Sequence, residues 1–177
     1  MVLNPDGAVA GNYRDNIRGV NLNRVWDGSA NAEDSPEVLA VERAIDAWVA
    51  AGNDYRMFLD FHSTAGPRRH FAFHGGPAVT KPEYYAETKR YLALVEGFAP
   101  VFGARYGASD SRNRALAYHS QREKHGVQAL TPEGSYSKHN HGPTPDAFMT
   151  PATHREVGVA FGRALVAFHG LMPPPTE

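Results

Sequence analysis

The chain contains no cysteine. That excludes disulfides, thiolate metal sites and a cysteine nucleophile together, but it leaves the compartment open, because many secreted proteins also lack disulfides. Charge of one sign is missing as well: 18 Lys and Arg face 19 Asp and Glu, for a formal net charge of −1. No like-charged block is present to follow a nucleic-acid backbone or an anionic bilayer, so neither nucleic acid nor membrane is an expected partner. No apolar run approaches the ~20 residues that span a bilayer, and Met1 to Gly7 carry neither the basic nor the apolar region of a signal peptide. The chain reads as soluble, with the cytoplasm favoured over export. What is present is a length of 177 residues, enough for one domain that buries about 70% of its unfolded surface. Nine histidines are available as metal ligands or proton carriers.

Hydropathy organises the chain into alternating elements. Asn4-Pro5-Asp6-Gly7 is turn chemistry, and Gly11, Gly19 and Gly28 predict an irregular first thirty residues. Ser35 is a candidate N-cap with Pro36 at the first helical position, and Val38, Val41, Ile45, Trp48 and Val49 recur at helical spacing up to Gly52. This stripe predicts that Trp48 is buried. Tyr55, Met57, Leu59 and Phe61 alternate with Arg56, Phe58 and Asp60, which predicts a strand with His62 at its C-terminal end. A second short strand is expected over His70 to Phe73, and a helix from Pro82 to about Gly97. A shorter helix is expected around Asn113 to Lys124, ending before Gly126. Val127 to Thr131 then reads as a buried strand, with Glu133 just past its end. After a loop over 137–145 rich in His, Gly and Pro, a last helix starts at Pro151 and places Val157, Phe161, Leu165 and Phe168 on its apolar stripe. These elements predict an α/β fold, a mixed β-sheet flanked by helices, in which sites collect beyond the carboxyl ends of strands. With no internal repeat, one domain over residues 1–177 is expected.

Several short strings occur in a telling order: Asn4-Pro5-Asp6-Gly7, Tyr13-Arg14, Asn21-Leu22-Asn23-Arg24, Leu59-Asp60-Phe61-His62-Ser63 and Leu130-Thr131-Pro132-Glu133. Singly, each has an ordinary explanation as a turn, a surface arginine or a structural histidine. In this order and spacing they resemble the M14 family of zinc carboxypeptidases, including its cytosolic-type members, over nearly the whole chain. The resemblance implies a zinc-dependent hydrolase that removes a C-terminal amino acid from a peptide, with a peptide or small carboxylate as its ligand. It implies His62 as a zinc ligand and Glu133 as general acid/base, a carboxylate placed to take a proton from water and pass it to the leaving amine. It implies Asn23 and Arg24 as the anchor for the substrate carboxylate, since a guanidinium gives bidentate bonds that lysine cannot. Arg14 takes the place of the donor to the developing oxyanion. Tyr106 and Tyr118 are candidates for the mobile tyrosine of these enzymes, and Tyr118 alternatively for a wall of the side-chain pocket. Together these expectations place His62 and Glu133 on one concave surface with Arg14 and Arg24 on its rim.

Two departures bear on the metal. The family's first two zinc ligands lie in a His-x-x-Glu motif ahead of the Asn-Pro-Asp-Gly turn, a region that would precede Met1, and no His-x-x-Glu occurs in these 177 residues. The chain therefore reads as the C-terminal major part of a carboxypeptidase-like catalytic domain, N-terminally incomplete, with zinc expected for the complete domain. His119 with Glu123, and His139 with His141, imitate a ligand pair and are expected on the surface. Second, Asn21 stands where the family usually has an Asp that orients a zinc histidine. Two alternatives follow: a non-catalytic relative that holds a carboxylate or peptide, and an amidase or deacylase of the same architecture.

Overall fold

Proline opens most of the helices. Pro5, Pro36, Pro82 and Pro151 start α1 (Pro5–Ala10), α2 (Pro36–Ala50), α3 (Pro82–Phe98) and α5 (Pro151–Phe168), where the missing N–H is one that would have no intrahelical acceptor. Between α3 and α5 lies α4 (Ala117–His125), closed by Gly126 in the left-handed conformation at φ 67°, which glycine adopts without a Cβ clash. The strands are β1 (Met57–Leu59), β2 (His62–Thr64), β3 (Phe71–Gly75), β4 (Ala108–Ser109) and β5 (Gln128–Ser135). The computed structural model describes residues 2–64, 69–138, 142–144 and 146–175.

The strands form a mixed sheet in the order β1-β5-β3-β4, with β2 also paired to β5. β2 runs parallel to β5, β3 antiparallel to β5 and parallel to β4. The expected α/β class and mixed sheet are therefore the observed ones. The residues group into two compact units, 1–58 with 112–129 and 59–111 with 130–177. In the first, Leu22, Trp26, Val38 and Ala117 form a core against which Leu3, Val41 and Phe58 pack. In the second, α3 lies on α5: Tyr91, Leu92 and Val95 face Ala160, Phe161 and Ala164, all buried. The Tyr91 hydroxyl donates to the Phe161 carbonyl at 3.0 Å, so this large ring is buried without stranding its polar end. Phe102 and Phe61 meet Phe161 edge to face at 5.3 and 5.4 Å.

Several local expectations are corrected. Asn4-Pro5-Asp6-Gly7 is not a free turn but the start of α1, because the Asn4 side chain accepts from the Gly7 N–H at 3.0 Å and so supplies an N-cap. Ser35 precedes α2 without capping it; its hydroxyl accepts from the Asn31 N–H instead. The alternating run from Tyr55 breaks at Asp60 and Phe61, so His62 begins β2 instead of ending one long strand. Glu133 lies inside β5, which runs on to Ser135. Pro132 sits opposite Ala72 in the antiparallel pairing with β3, although β5 is paired on both sides and a proline cannot donate to the ladder. The expected helix around Asn113 starts later, at Ala117, and β4 has no signal in the hydropathy pattern. Trp48 is 55% exposed, and Leu165 is half-buried while Phe161 is fully buried.

Candidate active site

The second unit holds His62 and Glu133. In the β2–β5 ladder His62 is the direct partner of Glu133, and on the other side of β5 Phe71 of β3 is its partner. Register partners on neighbouring strands present their side chains to the same face, with Cβ atoms about 5 Å apart, so the imidazole and the carboxylate share one surface. The His62 Nε2 lies 2.8 Å from Asp60 Oδ2. With that nitrogen held by a carboxylate, the ring orientation is set and Nδ1 becomes the atom through which His62 would ligate or donate, the arrangement in which an outer carboxylate tunes a ligating histidine. Asp60 carried no signal of its own in the sequence, although a two-residue spacing in extended chain puts two side chains on one face.

Gly134, next in the chain, is crowded from outside. A Cβ there would sit 2.9 Å from His154 Cε1, 3.0 Å from its Nδ1 and 3.6 Å from the His62 carbonyl oxygen. The His154 ring thus lies directly on the Gly134 backbone, and it meets buried His70 edge to face at 5.0 Å. Neither Gly134 nor His154 carried a sequence signal, since their contact depends on how α5 is laid against the strands.

The first unit holds Arg14, Asn21, Asn23, Arg24 and Tyr118. Arg14 is exposed, its guanidinium 5.7 Å from the Tyr13 ring centroid, and it lines an open cavity of about 460 Å³ with Asn12, Asp15, Asn16 and Ile17. The Asn21 side chain accepts from the Asn23 N–H at 3.2 Å and caps a single-turn 3-10 helix, Leu22–Arg24. Arg24 is exposed, and its Nη1 donates to the Asn23 carbonyl at 2.7 Å. Asn23 Oδ1 accepts from the Ala117 N–H at 2.8 Å. Tyr118, the following residue, is buried and stacked on His119 at 4.1 Å between centroids. In the second unit, Tyr106 is half-buried beneath the Arg69 guanidinium, 3.7 Å above its ring.

The imitation ligand pair does not assemble. His119 is buried, not on the surface as expected, and its Nδ1 accepts from Arg122 Nη2 at 3.0 Å. Burial, reinforced by the Arg122 charge, lowers its pKa to about 4. Glu123 pairs with Arg114. His139 and His141 lie outside the described residues. Among the described residues no group of three His, Asp or Glu side chains is arranged to hold a metal ion.

No protein-family profile matches the chain. Over 72 residues, 41% of this chain, it is 32% identical to cytosolic carboxypeptidase 1 of Danio rerio, of which that stretch is 6%. Among solved structures it is similar to a metallo-carboxypeptidase from Burkholderia cenocepacia, at 29% identity and a TM-score of 0.79 over 95% of this chain and 43% of that one. It is likewise similar to a metallo-carboxypeptidase from Pseudomonas aeruginosa in complex with (2-guanidinoethylmercapto)succinic acid, at 29% identity and a TM-score of 0.77 over 93% and 44%. A putative carboxypeptidase from Burkholderia mallei gives 27% and 0.82 over 96% and 44%. The chain therefore has a metallo-carboxypeptidase-like fold over nearly its whole length, and it spans less than half the length of each of these structures.

Proposed function

We propose that this chain carries the substrate-anchoring and proton-transfer parts of a metallocarboxypeptidase-type hydrolase that removes the C-terminal amino acid from a peptide. The observation that carries the reading is the pairing of His62 with Glu133 across β2 and β5, with Asp60 holding the imidazole, in a fold shared with metallo-carboxypeptidases. The Pseudomonas aeruginosa metallo-carboxypeptidase is in complex with a succinic acid derivative, which is in keeping with a carboxylate ligand here.

In this reading Glu133, half-buried beside His62, takes the proton of the attacking water and returns it to the leaving amine. Arg24 binds the terminal carboxylate through paired N–H donors, with Asn23 beside it. Arg14 stabilises negative charge developing on the scissile carbonyl oxygen, and Tyr118 forms part of the wall of the substrate side-chain pocket. Zinc in such enzymes polarises the carbonyl and acidifies water, and it takes three protein ligands. The donor set of the described residues does not fit that requirement, because His62 alone has the matched role and no triple of donors is assembled among them.

Asn21, standing where the family usually has an Asp, favours a second reading, a non-catalytic relative that uses Arg14, Asn23 and Arg24 to hold a carboxylate-bearing peptide; an amidase or deacylase of the same architecture would use the same anchor. The anchor is tested by titrating the chain with an N-acetylated dipeptide bearing a free C-terminus, and again with its amidated form. Binding of the free acid only, abolished by Arg24→Ala, is expected; equal response to both forms removes the carboxylate reading altogether. Hydrolase and binder separate on the metal. The chain is expected to retain no stoichiometric zinc after dialysis. A form of the encoded protein extended by an in-frame His-x-x-Glu, if it holds one zinc and cleaves blocked dipeptides, identifies the hydrolase; absence of such a segment identifies the binder.

A further inference from the structure

Helix α4 begins without a cap of its own. Its N-cap position is Leu116, which has no side-chain acceptor, and the first helical residue, Ala117, is fully buried. The N–H groups of a first helical turn need acceptors from outside the helix, and at a buried position water is not there to serve. The acceptor comes from 94 residues away: Asn23 Oδ1 lies 2.8 Å from the Ala117 nitrogen. Two further bonds run alongside, from Ser120 Oγ to the Trp26 carbonyl at 2.7 Å and from the Trp26 N–H to the Ala115 carbonyl at 3.3 Å.

The other side of Asn23 is tied to its own turn. Its N–H donates to Asn21 Oδ1 and its carbonyl accepts from Arg24 Nη1, and the Arg24 N–H donates to the Asn21 carbonyl at 3.0 Å. Asn23 sits at φ −88° and ψ 32°, off helical geometry within the 3-10 turn, a conformation kept by these bonds and not by the turn's own repeat. We propose that Asn23 is a positioning residue: its side-chain oxygen is the N-terminal cap of α4, and through it the turn bearing Arg24 and the helix bearing Tyr118 are held as one piece. The bearing of this tether on substrate rests on the carboxylate-anchor reading of Arg24. The tether itself does not.

The test compares the full chain with Asn23→Ala, Asn23→Asp and the nearly isosteric Asn23→Leu. Aspartate keeps an acceptor at a helix N-terminus, where its charge is also favourable. Amide hydrogen exchange is read at residues 24–26 and 117–120, with thermal midpoints and affinity for the free-acid N-acetylated dipeptide. Ala and Leu are expected to speed exchange in both segments together, to lower the midpoint by about 2–4 °C and to weaken the dipeptide roughly fivefold. Asp is expected to restore exchange and midpoint. Should Ala and Leu fail to fold while Asp folds, the acceptor is again the part that matters. An Asp variant as loose as Ala, or exchange that rises in neither segment or in only one, overturns the tether. If the wild-type chain ignores the dipeptide while exchange behaves as described, the carboxylate reading falls and the tether stands.

Discussion

Around Glu133 the chemistry is decided by single atoms. Asp60 engages one nitrogen of His62, the ladder sets His62 beside Glu133, and the His154 ring occupies the space where a side chain at residue 134 would go. Gly134→Ala forces a methyl group to within 3.0 Å of the imidazole, and overpacking of this kind costs about 1–3 kcal/mol. In a His154→Ala background the same methyl keeps only an ordinary contact with the His62 carbonyl oxygen at 3.6 Å, so the cost of Gly134→Ala is expected to shrink to about a few tenths of a kcal/mol. Urea unfolding of the two single variants and the double variant measures the coupling. Additive effects would mean that the ring is not what confines Gly134.

Among the elements, α2 departs most from its hydropathy pattern. Val38 in its first turn is fully buried, whereas Trp48 in its last turn is 55% exposed. The apolar stripe therefore leaves the core along the helix and lines a groove of about 590 Å³ with Val2, Leu3, Val41, Ile45 and Tyr55. Trp48 is held there by its Nε1, which donates to the Asp54 carbonyl at 3.1 Å. Trp26, by contrast, is 2% exposed in the core of the same unit and meets Phe58 edge to face at 5.9 Å. Trp26→Ala is expected to destabilise by about 3–5 kcal/mol, and Trp48→Ala by about 1 kcal/mol or less, the value of one exposed hydrogen bond. Chemical denaturation of both variants checks the ranking, and similar losses would place Trp48 in a packed environment after all.

For the molecule as a whole, the buried imidazoles set how stability depends on pH. Burial, then the Arg122 charge, lowers the His119 pKa from 6.5 to about 4. His74 is lowered by burial and His125 by burial and Lys124. The sign follows from which state binds the proton. Between pH 6.5 and about 4 the unfolded chain takes up a proton at His119 that the folded chain resists, so stability is full above that window and falls as the pH is lowered. The His119 contribution is lost progressively across that window. Urea midpoints are expected to drop between about pH 7 and pH 5, and the drop to be smaller in His119→Gln. An unchanged drop in that variant would assign the effect to other groups.

What the sequence by itself determined is whatever depends on neighbours in the chain. Helix starts at Pro36, Pro82 and Pro151, the stop at Gly126, the α/β class and the order of the Arg14, Asn23-Arg24, His62 and Glu133 strings were all legible there, because capping, φ restriction and period are local properties. The break at Asp60 and Phe61 was not legible, since the alternation of apolar and polar residues continues through it. The exposure of Trp48 was hidden for a similar reason: a stripe says which face of a helix is apolar, not how far along the helix the core reaches. The buried state of His119, the contact of His154 with Gly134 and the capping of α4 by Asn23 belong to tertiary structure alone. Each joins residues far apart in sequence, and a hydrogen bond or a steric contact leaves no trace in local composition until the chain has been folded around it.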